Sequence, residues 1–554
     1  MQTRHLLMGD EAVARAAIDA GIDAAYGYPG TPSTEILESL IDRRGSAHRY
    51  VARWCTNEKA AYEQALGASL AGRRAMVTMK HVGLNVAADP FVNSALVDVA
   101  GGLVVAVADD PGMHSSQNEQ DTRALAAFAR TVCLEPADQQ EAYDMTVAAF
   151  DLSEELGLPV ILRLVTRIAH ARGVVHTKQS SGEVLHKGRD GETLGEAAVK
   201  KPSETRSTGG AGWTLIPANA RVQWAKLVEQ QASLPRTKTA KRYTNYVAGD
   251  DTAPKAVVTC GIGRAYYDEF ADELSQRPHR LHIGYYPFDR GIKDRFPDNL
   301  CEVLVLEDGY PEVERALRGL LGRNVEVRGR DSGALPPTGE LTPETVREAL
   351  ELPPIAPPVG PASDIEIPGR RPQLCKGCPH TDSFEAINAA LSDSSERLRP
   401  SDIGCYALGA LPPHSIADSV VCMGASIGMA KGAAEAGVDG VVATIGDSTF
   451  LHSGIPALID AVEADTPMTV VILDNSTVAM TGGQPTAVPS SRIEEIVKGI
   501  GVDPDHIVTL TPTPSALHDN VKALRKEIDH AGPSVVIARR TCVRFAATIR
   551  RRAG

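Results

Sequence analysis

The stretch VVATIGDSTFLHSGIPALIDAVEADTPMTVVILDNSTVAMTGGQ, residues 441–484, closes one apolar run with Gly-Asp-Ser and the next with Asp-Asn-Ser. VVATI and TVVIL are short and rich in β-branched residues, which predicts two buried strands. Ser453 to Ala464 has helical spacing, so the whole reads as a βαβ unit. Parallel strands joined this way end on one edge of their sheet, the edge at which open α/β folds bind ligands. Asp447 and Asn475, 28 positions apart, are thereby brought to one edge, where their side-chain oxygens suit a hard cation beside a diphosphate. The competing reading is a pair of turn residues closing two buried strands.

Working outward, 554 residues are too many for one core, and three or four domains are expected. Residues 1–175 alternate strand and helix signals, with GIDAAYGYPG, RAMVTMK, GGLVVAVADD and LPVILRLVT as markers. Residues 176–250 read as a polar insertion and linker, with 173–212 lacking either period and a helical stretch, ANARVQWAKLVEQQASL, after it. A second α/β segment spans 251–352, a proline-rich linker 353–370, and a third α/β segment 371–548. The formal charge of −13 argues against nonspecific nucleic-acid binding. The start, MQTRHLLMGDEAVARAA, has no apolar run of signal-peptide length and no later run is long enough to span a membrane, so a cytoplasmic protein is expected. Nine cysteines in such a chain suggest reduced thiols or metal ligands rather than disulfides.

The pair Gly446-Asp447-Ser448 and Asp474-Asn475 resembles the motif of thiamine-diphosphate enzymes, GD(G/S) followed at a distance by Asn. More narrowly, AYGYPGTPSTEI, NEKAAYEQALGASLAG, TMKHVGLNVAADP, CKGCPH, DIGCYALG, CMGASIGMAKGA, IGDSTFLHSGI and AMTGGQP resemble the large subunit of the indolepyruvate ferredoxin oxidoreductases, in order along the chain. The resemblance implies an α/β fold of three doubly wound domains of the transketolase and pyruvate ferredoxin oxidoreductase type. By the same resemblance, 1–175 is a pyrimidine-binding-type domain, 251–352 is transketolase C-terminal-like, and 371–548 binds diphosphate. One departure stands out: that subunit usually ends in a ferredoxin-like segment with repeated CxxCxxCxxxCP, whereas this sequence ends RRTCVRFAATIRRRAG.

The resemblance assigns roles residue by residue. Glu58, in Asn57-Glu58-Lys59 before the helical AAYEQALGASLAG, is the carboxylate that bonds the cofactor's pyrimidine; the plain alternative is a first-turn glutamate favouring the helix dipole. Asp447 and Asn475 ligate Mg2+ with their side chains and Thr477 with its backbone carbonyl. Gly424, Ala425 and Ser426 bring backbone toward phosphate at a helix start, or else the glycines serve close helix packing. Thr31, in Tyr28-Pro29-Gly30-Thr31-Pro32, presents its hydroxyl to a 2-oxo acid or caps a helix. His81, after the strand RAMVTM, shuttles a proton or binds carboxylate, unless it is an ordinary loop histidine; His380 and His452 carry the same ambiguity.

Cys375 and Cys378 form CxxC, Cys405 lies in Ile403-Gly404-Cys405, and Cys542 follows the last expected strand. Related oxidoreductases arrange four cysteines similarly, which implies a 4Fe-4S cluster; the alternative is buried thiols plus a turn-forming CxxC. Cys55, Cys133, Cys260, Cys301 and Cys422 are expected to be packing residues. The implied activity is oxidative decarboxylation of a 2-oxo acid, aromatic by resemblance, to an acyl-coenzyme A, with electrons leaving to ferredoxin or a similar acceptor. A small partner subunit, in a dimer of heterodimers, is implied with it. The rivals are a nonoxidative thiamine-dependent decarboxylase or carboligase, which needs no cluster, and a noncatalytic assembly subunit.

Overall fold

The computed structural model describes residues 3–43, 50–177, 212–354, 373–391 and 398–553. Residues 178–211 of the polar insertion and 355–370 of the proline-rich linker lie outside them. The chain divides into two compact units, Met1–Val359 and Gly360–Gly554.

The first unit holds two large sheets. One has seven strands in the order Tyr285–Tyr286, Val132–Leu134, Val160–Val165, Leu103–Asp109, Ala75–Lys80, Ala24–Gly27 and Val51–Trp54, parallel except for the first. Its central strands AMVTMK, LVVAVAD and VILRLV are buried at every position, as parallel strands covered on both faces must be. The other has five strands, Glu326–Arg328, Glu302–Leu306, Lys255–Cys260, His279–Ile283 and Thr244–Val247, again parallel except for the last. Thr244–Val247 falls within 176–250, the stretch read as insertion and linker. At 173–177 the absence of periodicity misled: Arg172–Thr177 is a strand pairing antiparallel with Thr3–Met8, and burial of Val175 accounts for it.

A buried charge network fastens residues of the two sheets together. Arg163 donates through Nε to Asp109 at 2.7 Å, through NH1 to Glu135, and through NH2 to the Asp308 carbonyl at 2.9 Å. Arg123 donates to Asp121 at 2.6 Å and to Glu307 at 2.9 Å, and the Tyr286 hydroxyl donates to Glu135 at 2.7 Å. Burial pushes Glu307 up to about 7 despite Arg123, whereas Arg123 and Arg163 overcome burial at Asp121 and hold it well below the usual carboxylate range.

The second unit is built on one six-stranded parallel sheet, ordered Ser419–Val420, Pro400–Ser401, Val441–Gly446, Met468–Asp474, Ser534–Arg539 and Ile507–Leu510. VVATIG and MTVVILD are buried throughout and pair in parallel, Gly446 opposite Leu473. The connecting helix starts earlier than its periodicity predicts. Asp447–Thr449 is already helical, and a wide π turn over Phe450–Gly454 leads into Ile455–Glu463. Pro456 supplies the reason, because it has no N–H for the carbonyl four residues back and its ring needs the extra room. Among the described residues no helix is long and apolar enough to cross a membrane.

Candidate functional site

In the second unit Asp447, Asn475, Cys405 and Cys542 all follow the carboxyl ends of parallel strands. Asp447 is buried, and its carboxylate accepts the Ser448 amide at 2.7 Å and the Ser476 amide at 2.8 Å. The Ser476 amide thus ties the two motifs together across the strand pair. Ser476 has φ of 66°, a left-handed conformation that a serine adopts only when its surroundings fix it. They do so here: its amide also meets Asp474 at 3.2 Å and its hydroxyl meets Ser490 at 2.9 Å.

The electrostatics favour a cation. Burial, and then Asp474, push the Asp447 carboxyl up to about 8, although the two amides work the other way. Asp474 has its own partner in Arg539, 2.7 Å from Nε to carboxylate, whereas burial and Asp474 hold Asp447 toward its protonated form until a cation joins it. The Asn475 side-chain oxygen accepts the Thr477 amide at 3.1 Å. Its nitrogen faces His380 Nε2 at 3.1 Å, and burial pushes His380 down to about 4, which makes that ring a neutral acceptor. The Asn475 amide is therefore oriented, with its oxygen on the Thr477 side. His380 stands two residues after Cys378 in the sequence, and its ring contact fixes how the Asn475 amide lies.

The cysteine set adjoins this corner. The Cys542 amide donates to the Asn475 carbonyl at 3.0 Å, and Arg540 bonds both Asp382 and the Gly377 carbonyl inside the CxxC turn. Burial and then Cys378, Cys542 and Cys375 push the Cys405 thiol up to about 12, a mutual effect felt only among neighbouring sulfurs. Cys378 is raised by burial and by Cys375 and Cys542. Bare thiols crowded like this resist ionisation, and iron bound to them would remove that resistance. Of the five remaining cysteines, Cys133 and Cys260 are packed as expected, but Cys301 and Cys422 are exposed, so packing does not describe them.

Gly404 and Gly446 are accounted for together. A Cβ at either would come within 2.4 Å and 2.5 Å respectively of Cε1 of Tyr406, whose ring fills the space between them. Gly424 takes φ of 87° and begins the helix Ala425–Glu435. Ser426 donates its amide at 3.1 Å and its hydroxyl to Asp402, so this helix start already faces a carboxylate of the protein. A phosphate there would share or displace Asp402, a residue the sequence reading did not single out.

In the first unit Thr31, Glu58 and His81 follow the neighbouring strands Ala24–Gly27, Val51–Trp54 and Ala75–Lys80. Glu58 is 5% exposed and opens the helix Glu58–Leu70, which Asn57 caps by accepting the Ala60 amide at 2.8 Å. A Cβ at Gly83 would lie 2.8 Å from Glu58 Oε1, so the carboxylate sits against a surface kept bare of side chain. His81 is wholly buried at the start of helix His81–Val86, not in a loop; Nε2 meets the Asn118 carbonyl at 3.0 Å and Nδ1 has no partner. Thr31 is no helix cap, because Ser33 holds that position for Thr34–Asp42; the Thr31 carbonyl accepts the Ser115 hydroxyl at 3.1 Å.

Lys80 is the residue sequence reasoning passed over. Its stem lies along Gly30, whose added Cβ would be 3.0 Å from Lys80 Cδ, and its Nζ donates to the Ser115 carbonyl at 3.2 Å. Burial pushes Lys80 down to about 8 against the pull of Asp110 and Glu58. Its position as the last residue of a buried strand was the available signal.

The family model for pyruvate flavodoxin/ferredoxin oxidoreductase, thiamine diphosphate-binding, matches residues 15–213, and that for the C-terminal TPP-binding domain of thiamine pyrophosphate enzymes matches 402–538. Indolepyruvate oxidoreductase subunit IorA of Archaeoglobus fulgidus is 39% identical over 99% of this chain and 88% of that protein. The chain belongs to the IorA family. A second relative, IorA of Methanothermobacter thermautotrophicus, is 37% identical over 99% of this chain and 88% of its own length. Among solved structures, a 2-oxoglutarate:ferredoxin oxidoreductase from Magnetococcus marinus aligns at a TM-score of 0.48 and 16% identity, covering 59% of this chain and 62% of that one. Asp447, Asn475, Cys405 and Cys542 of this IorA-family chain fall inside or just after the second matched segment, and Glu58 and Lys80 inside the first.

Proposed function

We propose that the chain performs the oxidative decarboxylation of a 2-oxo acid, an aryl pyruvate of the indolepyruvate kind, yielding an acyl-coenzyme A and carbon dioxide while two electrons pass to ferredoxin or a similar acceptor. The observation that carries this reading is the proximity of four thiols to the Asp447 and Asn475 corner, joined by the Cys542 amide to the Asn475 carbonyl. A nonoxidative thiamine enzyme has use for Glu58, Asp447 and Asn475 but none for the thiols. The names of the relatives support the substrate class.

The residues fit the groups the reaction requires. Asp447, the Asn475 side chain and the Thr477 carbonyl would hold Mg2+ with the diphosphate, and such a cation would offset the burial that keeps Asp447 protonated. Glu58 would hold the pyrimidine, with Gly83 leaving room beside it. Cys375, Cys378, Cys405 and Cys542 would hold a 4Fe-4S cluster. Thiamine diphosphate, when bound, supplies the carbon nucleophile and electron sink that decarboxylation of a 2-oxo acid needs. Glu58 sets the proton balance of the pyrimidine, and His380 keeps Asn475 in its ligating orientation. Lys80, with the Thr31 hydroxyl, meets the substrate carboxylate, and His81, held through Nε2 on the Asn118 carbonyl, offers Nδ1 as a proton acceptor. A small partner subunit completes the complex and presents coenzyme A, in a cytoplasmic dimer of heterodimers.

Iron and acid-labile sulfide counted on anaerobically purified protein test this. About four of each per chain are expected, lost in Cys405→Ser while thiamine diphosphate still binds. Iron absent after anaerobic reconstitution, with the cofactor bound, would move the reading to a nonoxidative decarboxylase.

A second expectation concerns pH. Lys80 is cationic below about 8 and neutral above it, so the KM for the 2-oxo acid should rise as pH climbs through that value. Lys80→Arg, charged over the whole range, should flatten the rise, and Lys80→Met should show a high KM at every pH. An unchanged KM in Lys80→Met would remove Lys80 from substrate binding.

A further inference from the structure

Asp10 lies in the first turn of the helix Gly9–Asp19, and it is wholly buried. Neither of its carboxylate oxygens has a hydrogen-bond partner. Buried carboxylates are ordinarily paired or bound to metal, because desolvation penalises the bare charge. What Asp10 faces is a second carboxylate, Glu35 in the first turn of helix Thr34–Asp42, and an imidazole, His170 at the end of helix Thr166–His170. One ligand atom from each of the three lies within 4.8 Å of the others.

The imidazole is set up as a ligand. His170 Nε2 is 3.4 Å from Glu35 Oε2, and both atoms are buried without a well-formed hydrogen bond. The Pro32 carbonyl meets the ring as well, while Glu35 at 3.4 Å pairs with Nε2 only loosely. Ligating histidines are commonly oriented by a backbone carbonyl at the ring, and a metal ion between Nε2 and Oε2 would take the place of their long contact. Charge points in the same direction. Glu11 adds to the field of Glu35 at Asp10, and His170 is the one group of the cluster able to oppose them. The Glu35 and His170 side chains are each 35% exposed, which leaves a path for an ion while Asp10 closes the inner side.

We propose that Asp10, Glu35 and His170 form a binding site for a divalent first-row transition ion, which ties three helices together beneath the Thr31-Pro32 turn. Two carboxylates and one imidazole suit Mn2+ or Zn2+ better than Mg2+, which prefers oxygen alone, and no thiol is present to select a soft ion. The other way to resolve the buried charge is a proton on Asp10, and the two are separable.

Mn2+ is the probe, because it competes poorly for the cysteines. Its binding to the full chain is counted by loss of the free-ion EPR signal, in wild type and in Asp10→Asn, a replacement of the same shape. Wild type should bind one more Mn2+ per chain than Asp10→Asn, and added Mn2+ should raise the thermal midpoint of wild type more than that of the variant. His170→Gln, altered on the more exposed side, should lose the same ion and guards against a folding defect in Asp10→Asn. Equal stoichiometry in all three proteins would overturn the site and leave Asp10 protonated.

Discussion

Glu58→Gln is expected to lower turnover by roughly 10²–10⁴-fold, the usual contribution of a positioned acid–base group, while leaving thiamine diphosphate bound. The substitution is nearly isosteric, and Asn57, not Glu58, caps the helix, so the fold should survive. What is lost is a buried carboxylate against the bare backbone of Gly83. The loss should appear in kcat rather than KM, because the amide still fills the space but cannot carry the charge. The rival account makes Glu58 a favourable charge at a helix start, worth about 0.3–1 kcal/mol. Under that account Glu58→Gln would shift the unfolding midpoint slightly and leave turnover alone. Steady-state kinetics and denaturant unfolding on one preparation therefore decide between them, and unchanged turnover would undo the enzymatic reading.

The second large effect is on stability. Arg163 is wholly buried and bonds Asp109, Glu135 and the Asp308 carbonyl, groups drawn from both sheets of the first unit. Arg163→Met removes the only cation bonded to Asp109 among the described residues and leaves Glu135 with Arg123 at 3.8 Å, so negative charge is stranded in a dry interior. Breaking a buried pair from one side costs about 3–5 kcal/mol, a large share of the 5–15 kcal/mol or so by which domains are usually stable. The denaturant midpoint should fall accordingly. The deficit should shrink in acid, because stranded carboxylates that take up protons no longer repel. Arg163→Lys keeps the charge but not the fork, and should recover only part of the loss. A midpoint unchanged in Arg163→Met would mean that Arg163 contributes nothing to holding these sheets together, leaving Arg123 and apolar packing.

The sequence was most informative where chemistry and local pattern coincide. The runs VVATI and TVVIL, followed by Gly-Asp-Ser and Asp-Asn-Ser, are enough to put Asp447 and Asn475 on one sheet edge, and in the structure the Ser476 amide, next to Asn475, donates to the Asp447 carboxylate. Cys542 was legible as a residue just past an expected strand, and Cys405 through Ile403-Gly404-Cys405 and the resemblance to relatives with four such cysteines. What escaped was everything that depends on partners distant in the chain. Asp121, Arg123, Glu135, Arg163 and Glu307 are ordinary charges in sequence and one network in space. Asp402 gives no local sign that it faces Ser426, nor Asp10 that it faces Glu35 and His170. Lys80 was overlooked because a lysine ending a strand usually points to water, and here the turn at Gly30 covers its stem. At Ser426 a helix start read as open to phosphate already holds Asp402.

The ring of Tyr406 has a consequence for how this sequence can drift. It touches the positions where Gly404 and Gly446 would carry side chains, so both glycines answer to one aromatic group. A methyl group at Gly446 or Gly404 runs first into the tyrosine ring, so a smaller residue at 406 relieves the nearest clash at both. Substitutions at these three positions are thus non-additive by construction. Since Cys405 lies between two of them and Asp447 follows the third, the cysteine loop and the Asp447 turn form a single mutational unit. A side chain gained at either glycine therefore calls for a change at Tyr406, which in turn alters the room at the other.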